Sequence, residues 1–196
     1  LTKAQIAELK KALPKCIITS DHPLTKEESA RVIEAAIRKA AGKPTGELTK
    51  ADYEKVTKLV VPSQSLTLVN GLEQLSRLEK LDLRYNKLTE VKGLEKLTQL
   101  TKLYLNDNQL TDVKGLEKLT KLEWLELRGN QLTEIPKGLE KLTQLERLWL
   151  HENKLTSVKG LEKLTQLTYL HLEDNSDLTK AQISELKKAL PKCRIS

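Results

Sequence analysis

Phenylalanine and methionine are both absent from this 196-residue chain, and aromatic residues of every kind make up only 3% of it. A globular core normally draws on such side chains to fill irregular gaps. Their absence points to an interior that meets one small packing problem many times and answers it with the same residue, here leucine. Cysteine is scarce too, only Cys16 and Cys193, in duplicated ALPKC segments. A disulfide framework needs closer, patterned spacing, so both are expected as small hydrophobes buried in cap cores. No apolar run approaches the ~20 residues of a membrane span, and no signal peptide is visible after Leu1. No GxGxxG or Walker-type loop offers to hold phosphates. No Ser/His/Asp or Cys/His grouping suggests a nucleophile. Paired carboxylates such as Glu126 with Asp107 are expected on an open, wet face, which is a poor place to tune acids and bases. The chain reads as non-enzymatic, without cofactor or metal.

What is present is a folded balance: 38% hydrophobic and 31% charged residues, with a formal charge of +7. Most lysines recur in one motif, KGLEKLT, where they alternate with glutamate. Mixed signs make no phosphate-tracking stripe, so neither nucleic acid nor a membrane is expected as partner.

Self-similarity is the strongest signal. LEKLDLRYNKLTEVKGLEKLTQ begins at Leu78, and related segments begin at Leu100, Leu122, Leu145 and Leu167. Their anchors are Asn86, Asn108, Asn130, Asn153 and Asn175, spaced by 22, 22, 23 and 22 residues. The extra residue falls where Ile135-Pro136-Lys137-Gly138 replaces Val-Lys-Gly. One period earlier Val56, Leu59, Val61, Leu66, Val69, Gly71, Leu72 and Leu75 fit the same frame, with Gln64 at the asparagine site. Six strands follow. Side chains alternate faces along each LxL strand, so both leucines point into the coil. The asparagine amide then satisfies backbone groups that the next turn leaves buried. The glycines Gly71, Gly93, Gly115, Gly138 and Gly160 share one repeat position and read as turn residues.

The pattern LxxLxLxxNxL in five ordered copies is the leucine-rich-repeat signature. Over residues 56–178 the chain resembles bacterial leucine-rich-repeat proteins of the internalin-like type. The resemblance implies an α/β fold: a right-handed solenoid with a parallel β-sheet on its concave face, short helical turns on its convex side, and helical N- and C-terminal caps. It also implies a recognition module, not an enzyme.

The caps are legible. Thr25-Lys26-Glu27-Glu28 is a capping box, followed by Ile33, Ala36, Ile37 and Ala40 on one helical face and a stop at Gly42. A second short helix is expected from near Thr49 to about Lys55. At the other end Thr179-Lys180-Ala181-Gln182 opens a helix with Ile183, Leu186 and Leu190 inward; Pro191 ends it, and Cys193-Arg194-Ile195 returns as a short strand. The expected division is therefore 21–55 as N-terminal cap, 56–177 as repeats and 178–196 as C-terminal cap. Residues 1–20 are an extra copy of the last: LTKAQIAELKKALPKCII matches residues 178–195 except for Ala7 against Ser184 and Ile17 against Arg194. That copy reads as the tail of a preceding tandem array or an added segment. A third reading is an amphipathic helix that covers another molecule's array end, giving a weak head-to-tail association in place of a monomer.

Variation within the chain is concentrated on the outward strand positions. KGLEKLTQ barely changes, whereas the residue before the second leucine runs Lys80, Lys102, Trp124, Arg147, Tyr169. The residue after it runs Asp82, Tyr104, Glu126, Trp149, His171. The next exposed column runs Arg84, Asn106, Arg128, His151, Glu173, and the one before asparagine runs Tyr85, Asp107, Gly129, Glu152, Asp174. Five of the six aromatics lie in these columns. Tyr, Trp and Arg are the residues enriched at interface hot spots. The candidate partner-binding residues are Arg84, Tyr85, Lys102, Tyr104, Trp124, Glu126, Arg128, Arg147, Trp149, His151, Tyr169 and His171, with the expected partner a protein or peptide and a glycan second. Lys80, Arg84 and Lys87 make the early end of this face basic, and Glu173 and Asp174 make the late end acidic. Cross-strand ring stacking that only stiffens the sheet is the competing account. It suits a natural or designed repeat scaffold with no evolved ligand. His151 and His171 sit on neighbouring strands without metal-ligand spacing and read as contact residues.

Overall fold

The computed structural model describes Glu8 and residues 22–196. The duplicated segment at residues 1–20, with Cys16, lies outside the described residues apart from Glu8. No helix among the described residues is long and apolar enough to cross a membrane.

Among the described residues seven short strands form one parallel sheet in sequence order: β1 (Lys58–Val60), β2 (Lys80–Asp82), β3 (Lys102–Tyr104), β4 (Trp124–Glu126), β5 (Arg147–Trp149), β6 (Tyr169–His171) and β7 (Arg194–Ile195). Register follows the repeat, with Leu59, Leu81, Leu103, Leu125, Leu148 and Leu170 in line across the sheet. Leu81 through Leu170 in that line are fully buried. On the returning side each full coil makes one 3₁₀ turn, at Leu72–Gln74, Leu94–Lys96, Leu116–Lys118, Leu139–Lys141 and Leu161–Lys163. The glycine before each turn holds a left-handed backbone, with φ of 88–104°. In four of the five a glutamate two residues on accepts from that glycine's N–H, as Glu95 does from Gly93 at 2.6 Å.

The asparagines form the expected ladder, all buried. Asn130 Oδ1 accepts from Leu110 N at 3.0 Å, while Nδ2 donates to the carbonyls of Leu105, Leu127 and Arg128 at 3.0–3.1 Å. Each such side chain staples its own turn to the preceding coil. Gln64, at the first site, is exposed; its side chain donates to the Pro62 carbonyl, while its backbone N–H donates to Asn86 Oδ1 of the next coil. The one-residue excess of the fourth coil is absorbed in its turn, where Pro136 is buried and its carbonyl accepts from Leu139 N at 3.0 Å. The sheet register and the Asn153 bond to Leu132 are unaffected.

Between residue 22 and the sheet lie two helices. α1 (Lys26–Ala41) has the Thr25/Glu28 capping box and ends at Gly42 with φ 68°. Ile33 and Ile37 are buried and packed with the core. Ala40 is exposed, contrary to the sequence expectation, and Ala41 packs inward instead. The inward row is Ser29, Ile33, Ile37 and Ala41, spaced by four, and Ala40 falls one position to its side. α2 (Lys50–Glu54) follows Thr49. Its buried Asp52 accepts from Lys43 Nζ at 2.9 Å, from Thr49 Oγ1 at 2.7 Å and from Lys55 Nζ at 3.0 Å. The Lys43 bond foremost, then Thr49 and Lys55, hold its carboxyl well below the usual range. At the far end α3 (Lys180–Ala189) begins at Thr179 and buries Leu186, with Leu190 buried just beyond. Cys193 is half-buried, not sealed in a cap core, because it lies at the turn into β7 beside exposed Arg194; partial burial still pushes its thiol pKa up.

Candidate recognition face

Between the inward leucines each strand sends out two residues, and parallel register lines these up into columns. The first column runs Lys58, Lys80, Lys102, Trp124, Arg147, Tyr169 and Arg194. The second runs Val60, Asp82, Tyr104, Glu126, Trp149 and His171.

Four rings meet although no two of them are register partners. Tyr104 and Trp149 stand in the second column, Trp124 and Tyr169 in the first, so the contacts run diagonally across four strands. Centroids are 6.1 Å apart for Tyr104–Trp124, 4.6 Å for the stacked pair Trp124–Trp149, and 5.4 Å for Trp149–Tyr169. Diagonal neighbours on a sheet are within reach of large side chains, which is why a zigzag of big rings fills the hollow without crowding. All four rings are half-buried. The Trp124 indole N–H donates to Glu126 Oε1 at 2.9 Å, satisfying the polar edge of the ring. Lys102 and Arg147, its two neighbours in the first column, lie 5.9 and 4.8 Å from its ring centre. Lys80 and Arg84 flank Tyr104 at 4.8 and 5.5 Å.

The third column is built from ion pairs. Arg84 forks onto Asp82, with Nε–Oδ1 at 2.9 Å and a second bond at 2.7 Å. Arg128 forks onto Glu152 of the next coil at 3.0 and 3.2 Å. That guanidinium lowers the Glu152 carboxyl pKa, and Glu152 in turn raises that of Arg128. His151 and His171 stack at 3.8 Å, and His171 Nε2 lies 2.9 Å from Glu173. His151 Nδ1 is buried and has no hydrogen-bond partner among the described residues. Burial first, then the charge of His171 and of Arg128, lowers the His151 pKa.

Two positions expected to be exposed are buried, Asp82 and Asn106, each 4% accessible. Asp82 is covered by the guanidinium folded onto it, and Asn106 donates sideways to Asp107 at 2.8 Å. Tyr85 stands apart from the ring chain, 52% exposed. It occupies the turn position before asparagine, where Tyr85, Asp107, Gly129, Glu152 and Asp174 all hold φ of 54–62°. This strained backbone lets the ladder run past the strand: Tyr85 N reaches Asn106 O at 3.1 Å, and Glu152 N reaches Glu173 O at 3.1 Å. Sequence reading missed Lys58 and Arg194 as members of the first column. Lys58 follows from the frame that places Leu59, and the register alone reveals Arg194.

Such a sheet of repeated three-residue strands, closed by 3₁₀ turns and stapled by asparagines, defines a leucine-rich-repeat solenoid. Family models described as "Leucine Rich repeats (2 copies)" and "Leucine rich repeat" match residues 76–118 and 112–176, between them more than half of the chain. The chain belongs to the leucine-rich-repeat family. Among solved structures, an internalin of Listeria monocytogenes shares 26% identity at a TM-score of 0.60, over 84% of this chain and 54% of that one. A leucine-rich-repeat protein of Leptospira interrogans shares 32% identity at a TM-score of 0.66, over 74% of this chain and 38% of that one. The chain thus spans about half or less of the length of these structures. No curated protein matches it. Proteins of this family generally mediate protein–protein interaction and are typically non-enzymatic.

Proposed function

We propose that the concave face binds a protein or peptide partner, centred on Trp124 and Trp149. The observation behind this reading is the continuous band Tyr104–Trp124–Trp149–Tyr169, half-exposed on a sheet whose own core is leucine. Rigid aromatic area flanked by guanidinium and ammonium groups is the composition of interface hot spots. It is also presented at low entropic cost, because the rings already hold one another in place. Arg128, His151 and His171 stand beside the band in fixed geometry, and Arg84, Tyr85, Lys102, Glu126 and Arg147 complete the face. A glycan is the weaker candidate, because the Trp124–Trp149 stack takes up one face of each indole.

The test is quantitative affinity capture with wild type, a Trp124→Ala/Trp149→Ala variant and a Lys118→Glu/Lys141→Glu variant altered on the returning side. Partners held by wild type and the lysine variant but lost from the tryptophan variant support the proposal. Identical capture by all three refutes it. The scaffold reading has its own signature: the tryptophan variant loses stability, by ~0.2–1 kcal/mol for each ring pair removed, and no partner.

A further inference from the structure

The first column carries positive charge along its whole length. From β1 to β7 it reads Lys58, Lys80, Lys102, Trp124, Arg147, Tyr169, Arg194, one residue per strand in register. Among the described residues none of its five cations lies in an ion pair, whereas Arg84 and Arg128 in the third column of the same sheet are each bound bidentately by a carboxylate. Charge on this face is therefore sorted. It is neutralised internally in one row and left open in the next. The charge gradient expected from the sequence survives only away from the first column, whose late end is closed by Arg194.

We infer that this row is the binding track for an acidic, extended segment of the protein partner, with carboxylates opposite Lys58, Lys80, Lys102, Arg147 and Arg194 and apolar side chains opposite Trp124 and Tyr169. The inference rests on the concave face being the recognition face. Seven strands at ~4.8 Å spacing make a track of roughly 29 Å, which an extended polypeptide of about nine residues spans. The five cations hold no ion pair among the described residues, so they meet such a segment without first breaking salt bridges of their own. Lys80, Lys102 and Arg147 are also held in place against Tyr104 and Trp124, which reduces the ordering that binding must impose.

A uniformly charged polyanion fits less well. Glu79, Glu123 and Glu146 stand exposed one residue before the row, on its rim, and Glu126 lies inside the hollow. A sulfated glycan or single-stranded nucleic acid brings charge at every unit and meets those carboxylates too. A polypeptide places acids only where the cations are.

The experiment is fluorescence titration of the whole chain, reading both tryptophans. The probes are a glutamate–leucine peptide of about ten residues, its glutamine–leucine counterpart, a heparin oligosaccharide and a single-stranded oligonucleotide. The acidic peptide is expected to bind at least ~10-fold more tightly than the neutral one. That preference should collapse as salt rises from roughly 0.05 to 0.5 M. Lys80→Glu/Lys102→Glu/Arg147→Glu is expected to weaken it ~10-fold or more, and Lys118→Glu/Lys141→Glu/Lys163→Glu, with the same change in net charge, by no more than about twofold. Equal losses in both triple variants, no preference for the acidic peptide, or tighter binding of either polyanion overturns the inference. If the acidic peptide fails while the tryptophan variant still loses its captured partners, the track is wrong and the recognition face stands. If the tryptophan variant captures everything, the face itself is wrong.

Discussion

The two sides of each coil follow opposite rules. The returning side repeats glycine, leucine, glutamate and lysine almost unchanged, and each 3₁₀ turn solves one geometric problem in the same way. The sheet side keeps its leucines and asparagine and varies most of its outward residues, the run Lys58, Lys80, Lys102 in the first column apart. Structural demand is thus met by inward and turn positions, leaving the outward ones free to differ. An outward substitution should then move binding much and stability little, and an inward one the reverse.

The largest stability effect is expected at Leu125, fully buried at the centre of the sheet. Leu125→Ala should cost about 3–4 kcal/mol in urea melts; a loss below about 1 kcal/mol would mean that the coils do not share one core. Next comes Asn130→Ala, which leaves the buried Leu110 N–H without its side-chain acceptor and removes one of the two amide donors, Asn130 and Asn108, to the Leu105 carbonyl. A cost of about 2–3 kcal/mol is expected, given ~1–3 for an unsatisfied buried group. Gln64→Ala is its control and should change little, since that side chain is exposed. The comparison breaks if the two variants melt alike. Trp149→Ala should lower partner affinity by about 2 kcal/mol or more and stability by about 1 kcal/mol, from two ring contacts at ~0.2–1 each. Calorimetry reporting the reverse ordering would erase the distinction between the faces. Gly129→Ala should cost about 1 kcal/mol, since φ is 62° and other residues hold the same conformation at equivalent turns.

The smallest effect is that of pH. The folded chain holds His151 below its ordinary pKa, chiefly through burial. As pH drops below about 6.5, the unfolded chain therefore takes up this proton first. Stability is fully present above that value and declines below it, until the folded imidazole titrates as well. A pH series of melts on wild type and His151→Asn checks this: the decline between neutral pH and pH 5 should be shallower in the variant.

The solenoid was legible because its physics is periodic. Leucines at fixed offsets, a recurrent asparagine and two capping boxes each imply one local structure wherever they occur, and Thr25, Gly42 and Thr179 stand where their chemistry placed them. The outward positions were legible as columns, but their contacts were not. That Trp124 packs on Trp149 depends on the diagonal reach between strands, which no offset encodes. Asp82 was read as exposed because nothing in the sequence says that Arg84 folds back on it. The left-handed turn before each asparagine was invisible for a similar reason. Tyr, Asp, Gly and Glu share that backbone, so no residue type marks it. Arg194 escaped notice because its strand, at the end of the sheet, carries no repeat frame to align on, whereas Lys58 was legible from the frame that places Leu59 and Gln64.

The fourth coil, one residue longer than its neighbours yet in phase with them, shows what keeps these turns in step. The distance along the chain is not the ruler; the amide of Asn153 is, and it reaches Leu132 at 3.1 Å whatever lies in between. The stretch around Ile135 and Pro136 is therefore a natural splice point. A foreign loop inserted there should leave every later strand at its proper height, and the outward row undisturbed.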